Sequence, residues 1–193
     1  KRQQLDLTWK ARLEEHLGSF QVELIRSRTA NVMNDRLLLA GMLSSATLIN
    51  RFFPPAQVYK EFYESSENLF DLLQFPDIWM LGYFKWELEL LETLGFGLDL
   101  EKCTVTGSRE DLKFISPKSG CAVSQAAAGD WSSKLLPYPV AVSGQVNSLE
   151  DILDGLKVSQ FFLERKVLTA FGMEQLPNAR SRFIYLLEKK IRN

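Results

Sequence analysis

The stretch from residue 86 to residue 120 most constrains the fold, because a helix ends in it and a cysteine-containing turn follows. Steps of three and four residues, which predict one apolar helix face, join the residues Ile78, Leu81, Lys85, Leu88, Leu91 and Gly95. Gly95 and Gly97 end the helix, since glycine readily takes the positive φ of a helix end. A knuckle at Cys103 and a Ser-Pro-x-x-Gly hairpin at 116–120 come next. This order predicts a helical body with a small β insertion.

Further helices are predicted on both sides of this stretch. The first begins near Asn31, ends at Pro54-Pro55 and has one apolar face made of Val32, Leu39, Leu43, Ala46, Ile49 and Phe53. A second covers about 57–74. Ser148 followed by Asp151 has the spacing of a capping box and predicts a helix that runs to about Phe171, where Gly172 ends it. The last begins near Pro177 and turns inward Phe183, Leu186, Leu187 and Ile191.

Residues 4–12 and 18–25 instead alternate apolar and polar side chains, which predicts two strands joined by a connection at 14–17. Two strands cannot hide their own edges or bury both faces. The chain also lacks an initiator Met. We therefore expect this hairpin to be the end of a larger β domain that begins upstream of Lys1. Trp9 lies on the same face of the predicted strand as Leu5 and Leu7 and is therefore predicted to be a core residue.

Charge is distributed unevenly along the 193 residues, although the net charge is only −1. Residues 1–28 carry +2, residues 157–193 carry +5, and the segment between them carries −8. Two cysteines are too few for a disulfide framework, which favours the reducing cytoplasm. No apolar run approaches the roughly 20 residues that span a bilayer. A membrane protein is not expected.

Catalytic motifs are absent from the sequence. It contains no phosphate-binding Gly-x-x-x-x-Gly-Lys-Ser/Thr loop, no Gly-x-Ser-x-Gly elbow and no His-Glu-x-x-His. The single histidine, His16, falls in the predicted hairpin connection and is expected to be solvated. We therefore predict a protein that is not an enzyme and that needs no cofactor.

The order of these elements resembles the bacterial RecO family of DNA repair and recombination mediators. Both C-terminal segments, 161–165 (Phe-Phe-Leu-Glu-Arg) and 176–180 (Leu-Pro-Asn-Ala-Arg), share in the resemblance. It implies a mainly α fold: a helical bundle with a degenerate zinc-ribbon-like β insertion, preceded by the β-hairpin remnant of an OB-fold. The predicted domains are the incomplete OB-fold at 1–28 and the helical domain at 29–193, with the ribbon at 98–127.

Many RecO-like proteins bind zinc through four cysteines in this ribbon. Here the four positions hold Cys103, Thr106, Ser124 and Ala127, while Cys121 comes three residues before the second knuckle. A structural zinc site needs four thiolate or imidazole ligands. We therefore predict no metal, and a ribbon held by packing of Leu98, Leu100, Val105, Leu112, Phe114, Ile115 and Val123.

The resemblance also implies binding of single- and double-stranded DNA and annealing of strands. The implied protein partners are RecR, the C-terminal tail of the single-stranded-DNA-binding protein and, indirectly, RecA, which would be loaded onto coated strands. The expected location is the cytoplasm, at the nucleoid. The cations expected to contact phosphates are Lys10, Arg12, Arg26, Arg28, Arg165, Lys166, Arg180 and Arg182. Two alternatives remain open: these cations form ordinary solvated faces, or the chain is a protein-interaction adapter that does not bind DNA.

The tail of the single-strand-binding protein is acidic and ends in Phe, so its site needs an apolar pocket edged by cations. Lys85 precedes the run Trp86-Glu87-Leu88, where relatives carry basic residues, and Arg51 could supply a second cation. Phe84 stands where some relatives have Arg. The predicted walls are Leu48, Phe52 and Leu88, for each of which core packing is the alternative role.

Overall fold

The computed structural model describes residues 3–13, 17–28 and 32–193, without the side chains of Gln3, Gln4 and Arg26. Its first element is an antiparallel hairpin of β1 (Gln3–Lys10) and β2 (Ser19–Ser27), in which Trp9 pairs with Phe20. The predicted hairpin is confirmed, whereas its assignment to an OB-fold and the domain boundaries stay predictions. Most of the predicted connection at 14–17 and the predicted helix start at Asn31 lie outside the described residues.

Three long helices follow the hairpin. Their bounds are α1 Arg36–Phe52, α2 Lys60–Asp71 with a 3-10 turn at Leu72–Gln74, and α3 Pro76–Thr93. Helix α1 begins after Asp35, because the Asp35 carboxylate accepts hydrogen bonds from the free N–H groups of Leu37 and Leu38, at 2.9 and 3.0 Å. Gly95 adopts φ +85° just beyond α3, which confirms the predicted end of that helix.

A three-stranded antiparallel sheet in the order β4-β3-β5 interrupts the helices. Its elements are β3 Leu112–Ile115, β4 Ala122–Ser124, a short α4 Gln125–Ala128, a 3-10 turn Gly129–Lys134, β5 Leu136–Pro137 and a 3-10 turn Val140–Ser143. The β insertion is therefore present. Its identity as a degenerate zinc ribbon stays a prediction. Val105, expected to pack in it, is mostly exposed.

The C-terminal part is helical. Helix α5 (Leu149–Phe162) continues through a π-turn at Leu163–Val167 into α6 (Leu168–Ala170), and α7 spans Asn178–Arg192. The predicted capping box is confirmed, because Asp151 Oδ2 accepts the N–H of Ser148 at 3.2 Å. The π-turn was not predicted. One more residue per turn shifts the side chains that follow it, and such turns occur often at functional sites.

The core centres on α3, which packs against α1, α2 and α5, while α7 packs along α1. The predicted apolar face of α3 is right at Leu91, which is buried, and wrong at Ile78, which is 55% exposed, and at Lys85, which is exposed. The buried side carries Trp79, Met80, Tyr83, Phe84, Trp86, Glu87, Leu90 and Leu91. The buried face of α1 also differs from the predicted one, because Leu43 is exposed while Leu48 and Phe52 are buried. The inward face of α7 is confirmed at Phe183, whose ring lies 4.6 Å from that of Tyr83.

Candidate nucleic-acid and peptide-binding surfaces

Arg180, expected to contact DNA, is only 1% exposed. Its guanidinium donates from Nε and Nη2 to the two carboxylate oxygens of Glu87, at 2.7 and 2.9 Å. Two further N–H groups of the guanidinium donate to Gln160 Oε1 at 3.0 Å and to the carbonyl of Leu156 at 2.9 Å. Desolvation lowers the pKa of Arg180, but the charge of Glu87, its hydrogen bond and the charges of Tyr83 and Glu164 together raise the pKa by more, so that the net pKa is raised. The prediction is corrected, because these donors are used inside the protein.

Glu87 is fully buried at the centre of this network. Ser159 donates to one carboxylate oxygen, Tyr83 donates to the other at 3.4 Å, and the Tyr83 hydroxyl lies 2.7 Å from Ser44 Oγ. Burial and the neighbouring carboxylate raise the pKa of Tyr83, which therefore stays protonated. The network thus joins α1, α3, α5 and α7 through polar contacts, and fully satisfied networks of this kind fix how elements pack.

Arg28 is the second correction. Its side chain is 7% exposed and donates to Glu67 Oε2 and Asp71 Oδ1, each at 2.8 Å. Desolvation lowers the pKa of Arg28, but the hydrogen bonds and the charges of the two carboxylates together raise it by more, so that the net pKa is raised. Arg28 therefore fastens the end of β2 to α2, and we remove it from the expected DNA-contacting set.

Exposed cations remain on the hairpin. Lys10 and Arg12 are exposed, and Arg12 lines a hollow of about 590 Å³ with Trp9. Trp9, expected in the core, is 49% exposed and lies 4.8 Å from the ring of Phe20. The hairpin therefore brings a cation and an aromatic pair to one place. The side chain of Arg26 lies outside the described residues.

The other expected cations lie near the C-terminus. Arg165 and Lys166 belong to the π-turn, where Arg165 is exposed and Lys166 is half-buried, and Arg182 is exposed on α7. Arg165 lines a hollow of about 310 Å³ that it shares with Glu164 and Glu174. Two carboxylates therefore offset the potential around Arg165.

The expected peptide site is not assembled as a pocket around its five residues. Leu48 and Phe52 are core residues, 0% and 2% exposed, and cannot form accessible walls. Leu88 is half-buried against the core. Arg51 borders a hollow next to the 175–178 segment, whereas Lys85 lies beside Gly144, so the two cations border different surfaces.

An apolar pocket of about 470 Å³ lies between the end of α1 and α2. Its lining includes Ile49, Phe53, Gln57, Val58, Tyr59, Lys60, Phe62, Tyr63 and Ser66. Phe53 packs edge-on against Tyr59 and stacks on Phe62, with ring centroids at 4.6 and 4.8 Å. The predicted walls, Leu48 and Phe52, each lie one position before a residue that lines this pocket, Ile49 and Phe53.

The four predicted knuckle positions do come together. Cys103 is buried with Val123 and Ala128, Ala127 packs against it, and Cys103 Sγ accepts the N–H of Ser124 at 3.3 Å. Burial acts to raise the pKa of this thiol, but hydrogen bonds from Ser124 and Thr106 prevail and lower it to about 6. One thiol among hydroxyl and methyl groups thus occupies this corner of the insertion.

Neither a metal-ligand cluster nor a membrane-spanning helix is found among the described residues. In residues 3–13, 17–28 and 32–193, no three His, Cys, Asp or Glu side chains are grouped closely enough to hold a metal ion. Within the same described residues, no helix combines the length and apolarity needed to cross a bilayer.

Fold and surfaces define the class: a mainly helical protein with a small inserted sheet and exposed cations on its hairpin and its π-turn. Comparison with known proteins identifies the family within that class. Residues 33–172 match the family model described as Recombination protein O C terminal. The chain therefore belongs to the RecO family, whose role is in DNA repair and recombination.

Curated relatives agree with this assignment. The DNA repair protein RecO of Ruegeria sp. (strain TM1040) is 46% identical over 190 residues, which cover 97% of this chain and 78% of the relative. RecO of Cereibacter sphaeroides (strain ATCC 17029) is 46% identical over 187 residues, 96% of this chain and 77% of the relative. RecO of Roseobacter denitrificans is 43% identical over 97% of this chain and 78% of the relative. No solved structure matches the chain with significance.

Proposed function

We propose that this chain is a non-catalytic recombination mediator of the bacterial nucleoid. It binds single- and double-stranded DNA, anneals strands and acts with RecR to load RecA onto single strands that the single-stranded-DNA-binding protein has coated. Family membership supports this proposal, and the exposed cations supply the physical basis for DNA contact. The observation that carries it is the placement of Arg12 beside Trp9 on the exposed hairpin, since a cation beside an aromatic ring suits a single strand.

The DNA contacts are proposed for Lys10, Arg12, Arg165, Lys166 and Arg182, with Arg26 retained from its sequence position. Fluorescence anisotropy of a labelled oligo(dT) should show binding that weakens steeply as salt rises, because each neutralised phosphate releases counterions. Lys10→Gln/Arg12→Gln should weaken binding and lower the slope of log K against log salt by about 0.7 per lost contact. Binding that ignores salt, or no binding at low salt, would favour the adapter alternative.

Capture of the single-strand-binding protein tail is proposed for the apolar pocket at the end of α1. An aromatic C-terminal residue fits a pocket lined by Phe53, Tyr59 and Phe62, and Lys60 supplies a cation for acidic residues or the terminal carboxylate. This proposal keeps the predicted chemistry but moves the site from Leu48 and Phe52 to the neighbouring face.

Titration with an acidic peptide that ends in Phe separates the two possible sites. Tyr63→Ser, at a residue that is 63% exposed, and Lys60→Glu should each weaken binding several-fold while the fold is retained. Lys85→Glu is the matched control, because Lys85 lies beside Gly144 and does not line this pocket. Weakening by Lys85→Glu with no effect of Tyr63→Ser would return the site to the sequence-based position.

A further inference from the structure

A cleft of about 250 Å³ lies where three turns meet: the glycine-rich segment after α3, the turn between β3 and β4, and the π-turn after α5. We call it the lysine cleft. Its lining consists of Gly95, Phe96, Gly97, Leu98, Lys118, Ser119, Gly120, Phe162 and Lys166. From the sequence, Lys166 was predicted to contact DNA, Gly95 and Gly97 were predicted to end a helix, and Lys118 was given no role.

The π-turn helps to position Lys166 in this cleft. The widened turn at Leu163–Val167 changes the register of the helix, and Lys166 lies within it, half-buried. Its ammonium donates a hydrogen bond to the carbonyl oxygen of Lys118 at 3.1 Å. That bond joins the π-turn to the β3–β4 turn and uses one of the three ammonium hydrogens.

The electrostatic surroundings of the cleft favour an anion. No carboxylate lines the cleft, and within the described residues neither Lys118 nor Lys166 has one within 4.0 Å. Arg165, the neighbour of Lys166 in the π-turn, shares its hollow with Glu164 and Glu174 instead. A half-buried ammonium group without a counter-charge is an energetic cost that a bound anion removes.

Part of the cleft wall is bare backbone. Gly120 adopts φ +76°, and a Cβ added there would lie 2.9 Å from Leu98 Cδ2, so a side chain is excluded. The backbone N–H groups of Gly97 and Leu98 donate to no acceptor within the described part of the chain. Unpaired backbone N–H groups and two lysine side chains that line the same cleft are the chemistry that binds a phosphate oxygen.

We propose that the lysine cleft binds one phosphate group of a single DNA strand, with Lys118 and Lys166 as its cations. This inference rests on the proposed DNA-binding function and adds a named subsite to it. A single strand suits the cleft because its flexible backbone can bring one phosphate into a narrow opening. The cleft also draws the insertion into the DNA-binding surface, since it supplies Lys118 while the helical body supplies Lys166.

The test is anisotropy of a labelled oligo(dT), at several salt concentrations, with the whole chain and with the variant Lys118→Gln/Lys166→Gln. Glutamine keeps much of each stem and removes the charge. Lys157→Gln is the matched control, because Lys157 lies on α5 and already pairs with Asp154 at 2.9 Å. Circular dichroism melting verifies that each variant is folded.

The lysine-cleft variant should bind about ten-fold more weakly at low salt, with the slope of log K against log salt lower by about 0.7 because one phosphate contact is lost. Lys157→Gln should match the wild type. Unchanged affinity and slope in the cleft variant, or an equal loss in the control, would overturn the lysine cleft while leaving DNA binding intact. A wild-type chain that fails to bind at low salt would instead overturn the proposed function, and the cleft with it.

Discussion

Removal of Arg180 should destabilise the fold strongly, although it lies far along the chain from its partner. Arg180→Met keeps an apolar stem of similar length but removes all four hydrogen bonds of the guanidinium, two of which neutralise Glu87. Truncation of one partner of a buried ion pair costs about 3–5 kcal/mol, because the other charge stays buried and unpaired. For a chain of this length each kcal/mol lowers Tm by about 2–4 °C, so Tm should fall by about 6–20 °C.

Two further variants isolate the pair itself. Glu87→Leu/Arg180→Met replaces both charges by apolar groups and should come within about 2 kcal/mol of the wild type, because no unpaired charge remains. Arg182→Met, at an exposed position two residues away, should change the free energy of unfolding by less than about 0.5 kcal/mol. Urea unfolding followed by circular dichroism measures all three. A loss below about 1 kcal/mol for Arg180→Met, or a double variant no more stable than Arg180→Met alone, would refute the reasoning.

Two other predictions concern the knuckle and the core. Cys103 should titrate near pH 6, measured by thiolate absorbance in a Cys121→Ser background, and Ser124→Ala should raise that pKa. The pKa of Cys103 in the folded state lies below that of an exposed thiol, so its thiolate should contribute stability that increases from about pH 6 to about pH 8.5 and is lost as the pH falls through 6. If the difference in free energy of unfolding between the wild type and Cys103→Ala does not change with pH, this prediction is wrong. Gly41→Ala should cost about 1–3 kcal/mol in urea unfolding, because its Cβ would lie 2.3 Å from Trp79 Cη2; unchanged stability would mean that Trp79 moves at little cost.

Local signals in the sequence predicted where helices end but not which faces they bury. Gly95 and Gly172 both adopt positive φ beyond their helices, and the capping box at Ser148 forms as its spacing indicates. These signals depend on a few neighbouring residues and need no tertiary structure. The face of α1 could not be predicted this way, because its first half is apolar almost all round and several faces fit the same periodicity.

The tertiary context that selects the face of α1 consists of close contacts with other helices. Gly41 allows the ring of Trp79 to approach, and the Ser44 hydroxyl meets that of Tyr83 inside the core. Neither serine nor glycine carries the hydrophobic signal by which a core position is recognised. Glu87 was missed for the same reason, although Phe84, Leu90 and Leu91, at helical spacing around it, marked a buried position.

The net charge of each segment does not indicate which cations are exposed, because buried ion pairs join segments that are distant in the sequence. Arg28 from the basic N-terminal segment is neutralised by Glu67 and Asp71 of the acidic middle, and Arg180 from the basic C-terminal segment is neutralised by Glu87. Part of the middle segment's negative charge therefore holds the fold together and contributes little to the field at the surface. The negative charge of the middle segment is therefore weak evidence for an adapter that does not bind DNA. The cations available for contact with DNA are those without such partners, and Lys118 and Lys166 meet that condition within the described residues although Lys118 belongs to the acidic middle.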